Sequence, residues 1–177
     1  MLTILESGMP FGPFPKEKVF PVEKSEIYDS VKKGFKTVEF LLLQKRGNDN
    51  VLLMVEAKSS SPNPNNPDSR MRHGEFIGEI KEKFVHSLLF FLGIKLERFK
   101  DFTEKDWPNV FQSVDLSDLR FCFVLVVRDH HINWLPSLQD CLRQEMDPIA
   151  KAFRIAATDC VTVYNEKKAR EKRLICD

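Results

Sequence analysis

Apolar residues crowd into a few short runs separated by polar stretches. Thr37 to Leu43 and Val51 to Lys58 are two runs of strand length with Arg46-Gly-Asn-Asp-Asn50 between them, a pattern that predicts a β-hairpin. Both runs are apolar on alternate and intervening positions, so the pair reads as the centre of a sheet covered by helices on both faces. Arg120 to Arg128, continuous and rich in valine, reads as a further buried strand, and a short one is expected near Val161 to Tyr164. Phe76, Ile77, Ile80, Phe84, Leu88, Phe91 and Leu92 recur at helical spacing, which predicts a helix from about Gly74 to Leu92 with Gly93 as its stop. A second helix is expected from about Leu135 to Phe153 and a basic one from near Asn165. The expected fold class is α/β, a central mixed sheet flanked by helices.

Before the hairpin, residues 8 to 21 hold too much Pro and Gly for a regular element and read as an ordered arm, residues 1–21, anchored by Phe11, Phe14 and Phe20. Val19 to Glu23 fits a short strand. Ser25 to Lys33 fits a short helix with Ser25 as N-cap and Gly34 at its end. Ser59 to Ser69 is a polar, Pro-rich loop of unusual length, and such loops commonly carry function.

Composition narrows the classes. The 177 residues, 42% hydrophobic and 30% charged, suit one domain spanning residues 1–177. Fifteen Phe against two Tyr and two Trp favour a core of purely apolar rings. A net charge of +1, from 27 Lys and Arg against 26 Asp and Glu, means that any polyanion must be held by a local patch. Cys122, Cys141, Cys160 and Cys176 form no Cys-x-x-Cys pair, which argues against a zinc ribbon and for reduced thiols. The first ten residues lack the features of a signal peptide, and no run is long enough to span a membrane. A cytoplasmic protein is expected.

The hairpin is where chemistry concentrates. With Gly47-Asn48 as a two-residue loop, Arg46 pairs with Asp49 and each outward step follows, which brings Glu39 opposite Glu56. Alternation puts Glu39, Glu56 and Lys58 on one face with Leu41, Leu43, Leu52 and Met54, and Val38, Phe40, Val55 and Ala57 on the other. Two carboxylates facing each other among apolar side chains repel and resist ionisation. A divalent cation offsets both costs, and hard oxygen ligands suit Mg²⁺ or Mn²⁺. Lys58 is placed to hold an anionic oxygen beside it.

These residues resemble the PD-(D/E)XK nuclease superfamily: an acid at Glu39, a turn, then Val55-Glu56-Ala57-Lys58 closing the next strand. The resemblance covers roughly residues 18 to 128 and implies a restriction-endonuclease-like α-β-β-β-α-β core, with residues 129–177 as a helix-strand-helix extension. It implies that Glu39, Glu56 and the Ala57 carbonyl bind metal, with Glu23 as an additional acid. Lys58 then orients the water nucleophile and the scissile phosphate. The implied activity is hydrolysis of nucleic acid, DNA in the first instance, with Arg70, Arg72, Lys81 and Lys83 gripping phosphates. A homodimer or a larger protein complex stays open. The first acid is Glu rather than Asp, and the following helix has no Gln-x-x-x-Tyr, so no subfamily is assigned.

Blander readings compete elsewhere. Glu-x-Lys occurs also at Glu79-Lys81 and Glu166-Lys168, both on expected helices, where solvated charges are the simplest account. His130-His131 reads as a polar loop, His86 as a helix flank, and the run Lys167 to Arg173 as a solvated helix face. Ser59, Ser60 and Ser61 have no Gly-x-Ser-x-Gly elbow to make a nucleophile. The alternative to a nuclease is the same fold without catalysis, an interaction module in a larger assembly.

Overall fold

The computed structural model describes residues 1–63, 70–99 and 107–176. In chain order it runs β1 (Leu2–Glu6), β2 (Met9–Phe14), β3 (Val19–Pro21), α1 (Glu26–Asp29), β4 (Phe40–Arg46), β5 (Asp49–Lys58) and α2 (Arg70–Lys95). Then come α3 (Asn109–Ser113), β6 (Leu119–Val127), α4 (Leu135–Ala152), α5 (Ala157–Cys160), β7 (Val161–Asn165) and α6 (Glu166–Glu171).

The expected hairpin closes as its turn residues dictate. Gly47 adopts a φ of +62°, the left-handed conformation that a two-residue turn requires of it, and Arg46 pairs with Asp49. The register then runs without slip to Phe40 opposite Val55. Around this pair the main sheet has the order β3-β4-β5-β6-β7, antiparallel through the first three strands and parallel through the last three. Parallel neighbours need crossovers, and α2 carries the chain from β5 towards β6 as α4 does from β6 towards β7.

Alternation divides the core into two layers. Leu41, Leu43, Leu52 and Met54 point to the face covered by α2 and α4, where Ile80, Phe84, Phe91, Leu138, Leu142 and Met146 pack. Phe40, Leu42, Val51, Leu53, Val55 and Ala57 point to the opposite face. Val38, just before β4, joins the helical side rather than the face that strict alternation assigns it. Helices do not cover both faces equally. The second layer is built by the β1-β2 hairpin, through Ile4, Met9, Phe11 and Phe14, and by the C-terminal segment with Ala169, Leu174 and Ile175.

Two further sequence expectations are corrected. Residues 9–14 form a strand despite Pro10 and Pro13, because its ladder with β1 is broken by an irregularity between Leu2 and Ile4 and its other edge meets, among the described residues, only a single bridge, Phe11 to Ile175, so missing donors are tolerated. Gly93 does not stop its helix. A Cβ there would lie 3.0 Å from the Phe99 ring, so glycine makes room for packing, and α2 runs on to Lys95, closed by Glu97, which takes a φ of +55° as Arg98 N–H donates to the Gly93 carbonyl.

The chain ends are tied together. Gly12 N–H donates to the Leu174 carbonyl and Cys176 N–H to the Pro10 carbonyl. Gly12 holds a φ of +107°, and a Cβ there would lie 2.8 Å from the Leu2 carbonyl oxygen and 2.9 Å from Phe14 N, both backbone atoms that have no rotamer to change. Gly12→Ala is therefore expected to destabilise the fold by roughly 2 kcal/mol or more, read as a lowered Tm in thermal denaturation. Among the described residues, no helix is long and apolar enough to cross a membrane.

Candidate functional site

β5 is buried on both faces, and within it Glu56 is the single acidic residue of a run that is otherwise apolar from Val51 to Ala57. Its side chain is 0% exposed. Glu39 sits one residue before β4, beyond the last paired residue Phe40, so the hairpin register carries it alongside Glu56. The segment is pinned there: the Glu39 carbonyl accepts from Val22 N–H at 3.0 Å, and Val38 N–H donates to Ser87 Oγ of α2 at 2.8 Å. Lys58, two residues beyond Glu56 and on the same face, reaches Glu56 at 3.4 Å and Glu79 at 2.7 Å. The trio expected from the sequence is thus assembled.

At its centre stands Lys83. This residue of α2, its side chain only 11% exposed, lies 2.8 Å from Glu56 Oε1, 3.6 Å from Glu23 and 3.9 Å from Glu39. Its ammonium straddles the carboxylate, with the hydrogen bond to Glu56 Oε2 at 3.1 Å and Oε1, buried, held by the ion pair alone. Four carboxylates, Glu23, Glu39, Glu56 and Glu79, therefore surround two ammonium groups, and full ionisation would leave two negative charges uncompensated.

Proton affinity reflects that excess. Burial, reinforced by Glu56 and Glu23, pushes the Glu39 carboxyl up to about 8. Burial also pushes Glu56 up, to about 7, against the pull of Lys83 and Lys58. Lys83 is desolvated as well, yet the attraction of Glu56, Glu39 and Glu23 holds it above its ordinary value, so it stays charged while Glu39 keeps a proton at neutral pH. The hydrogen bond from Lys58 lowers Glu79.

A dependence of stability on pH follows. Glu39 and Glu56 bind protons more tightly folded than unfolded, so the stability they contribute is full below their ordinary value of 4.5 and is lost as pH rises through 7 to 8. In chelator, the protein is expected to melt several degrees lower at pH 8.5 than at pH 5.5, with a slope that flattens in Glu39→Gln. Equal slopes in the two proteins would rule out Glu39 as the source.

The remaining sequence candidates fall in different places. Lys81 turns away and pairs with Glu145 of α4 at 2.8 Å. Arg72 lies in the first turn of α2, lining a depression that also reaches Lys58. Arg70 opens α2, but its side chain is outside the described residues. The Ala57 carbonyl accepts from Ser7 Oγ at 3.0 Å. Glu79, taken from the sequence as a solvated charge, is instead a partner of Lys58, and Lys83 belongs to the acidic cluster rather than to an outer phosphate grip. The signal for both was present: Glu79, Lys83 and Ser87 recur four apart beside the apolar stripe of α2, which places them towards the sheet.

Whether the cluster suits a divalent ion depends on its donors. Carboxylate oxygens are the right chemistry for Mg²⁺ or Mn²⁺, but Glu56 Oε1 already lies 2.8 Å from the Lys83 ammonium and 3.4 Å from that of Lys58. Among the described residues, however, no group of three or more His, Cys, Asp or Glu side chains is arranged to hold a metal ion. The Lys83 ammonium, within 4 Å of Glu23, Glu39 and Glu56, occupies the place that a divalent ion held by these acids would need. Comparison of the chain with family models, with curated proteins and with solved structures finds no match.

Proposed function

We propose that this protein hydrolyses phosphodiester bonds of nucleic acid, DNA in the first instance, at the Glu39, Glu56 and Lys58 cluster, in the manner of the PD-(D/E)XK nucleases. The observation that carries the reading is the facing pair of carboxylates, both with suppressed ionisation, beside a lysine at the end of a central strand. Strongly perturbed carboxylates gathered in one cluster are a mark of functional sites, and these two would have to lose their protons before an ion could bind. Three antiparallel strands, a crossover helix and a parallel strand support a restriction-endonuclease-like core, although a hairpin rather than a helix precedes the first strand of this sheet.

Glu39 and Glu56 would hold Mg²⁺ or Mn²⁺, with the Ala57 carbonyl and Glu23 beside them. When bound, such an ion supplies a water of lowered pKa and stabilises charge on the phosphoryl oxygens. Lys58 does the chain's own part. Its ammonium, held by Glu79 and Glu56, is a donor fixed next to the carboxylates, where negative charge on a phosphate would grow. Glu39 would have to give up its proton to hold such an ion, so binding would be favoured by rising pH.

Incubation of purified protein with labelled single- and double-stranded DNA and RNA in Mn²⁺ tests the reading. Cleavage is expected, lost with chelator and in Glu56→Gln. A second reading, a non-catalytic module in a homodimer or larger assembly, is favoured by one observation: the Lys83 ammonium lies among Glu23, Glu39 and Glu56, where a divalent ion would have to sit. It is the outcome if no nucleic acid is cut in either protein.

A further inference from the structure

Beside the acidic cluster, a depression of about 480 Å³ is lined by Lys58, Ser60, Ser61, Arg72 and Phe76. Arg72 is exposed, and among the described residues no carboxylate pairs with it. Ser61 is not a loose surface hydroxyl. Its Oγ lies 2.7 Å from Nδ1 of His130, a residue only 5% exposed in the loop after β6. His130 is itself clamped, its carbonyl accepting from Asn165 Nδ2 at 3.3 Å and its ring set edge-on to Trp134 at 5.8 Å.

Whichever ring nitrogen carries the proton, the 2.7 Å bond to His130 holds the Ser61 hydroxyl in one place at the edge of the depression. The depression therefore offers a guanidinium, an ammonium shared with the acids, two hydroxyls and, from Phe76, one partly buried ring.

We propose that this depression is a subsite for one nucleotide, its phosphate held by Arg72 and Ser61 with Lys58, and its base against Phe76. Cationic and hydroxyl donors suit a phosphate, and a single ring beside them suits a base of any identity, because every base has a π-face. The inference rests on the nuclease reading only for the claim that this nucleotide belongs to the substrate, since Lys58 lines both places. His130 is a positioning residue that acts through Ser61.

Calorimetric titration of the full chain in chelator, with thymidine monophosphate and inorganic phosphate as probes, tests it apart from any cleavage. Thymidine monophosphate is expected to bind saturably and roughly tenfold more tightly than phosphate. Arg72→Ala is expected to weaken both probes by about tenfold, and Phe76→Leu to weaken the nucleotide alone. His130→Ala and Ser61→Ala are expected to cost the same, with the double variant losing no more than either, a non-additivity that a merely structural histidine would not produce. Equal affinity for the two probes, or binding unchanged in Arg72→Ala, overturns the subsite. If wild type cuts DNA in Mn²⁺ but these titrations fail, the subsite falls and the nuclease reading stands; the reverse pattern sinks the nuclease reading alone.

Discussion

Glu56→Gln is expected to lower Mn²⁺-dependent cleavage by at least about a thousandfold, while leaving the metal-free protein as stable as wild type or more so. The two halves of this result come from one fact. Glu56 is fully buried, and burial pushes its carboxyl up to about 7, so the ionised form is the costly one for the fold. Glutamine keeps the shape and accepts from Lys83 but carries no charge and is a poor metal ligand. Stability unchanged or raised above pH 7, together with lost cleavage, distinguishes a site kept for chemistry from one kept for packing. Circular dichroism melts and a gel-based cleavage assay on the same preparations measure both. A variant that loses stability and keeps full activity would exclude Glu56 from the reaction.

The hairpin was legible because two independent rules agreed on it. Turn chemistry at Gly47-Asn48 set the register, and the period of two set the face, so Glu39, Glu56 and Lys58 emerge together from residue spacing alone. What spacing could not show is which partner arrives from far along the chain. Lys83 is separated from Glu56 by a loop and three turns of helix, and the same residue read in isolation is one more charge on a charged helix. The β1-β2 hairpin was hidden for another reason. Pro10, Gly12 and Pro13 contradict local strand propensity, and long-range docking, of Phe11 and Phe14 on the Phe40 ring and of Phe11 beside Ile175, supplies the burial that overrides it. His130 illustrates the same limit, since its bond to Ser61 joins residues on different elements.

Lys83→Met is expected to be the most destabilising single change in the cluster, and the size of the loss should depend on both pH and metal. Methionine matches the length and fills the space, but it removes the cation that lies within 4 Å of Glu23, Glu39 and Glu56. Glu56 then has only Lys58, at 3.4 Å, to offset its burial, and both buried acids hold their protons still more tightly. Their contribution to stability is lost as pH rises through the folded values, so the cost of the substitution is greatest in alkaline solution. About 3 kcal/mol at pH 8.5 is the scale for breaking a buried pair, shrinking by more than half at pH 5.5, where the acids are neutral in either protein. Metal reverses the ranking. With the Lys83 ammonium gone, only protons and Lys58 still compete with Mn²⁺ for the carboxylates, so at pH 8.5 millimolar Mn²⁺ should raise the Tm of Lys83→Met by more than it raises that of wild type. If the ion stabilises neither protein, the cluster is a structural charge network and Lys83 is its permanent cation. If it stabilises wild type more, Lys83 helps to build the metal site and does not compete for it.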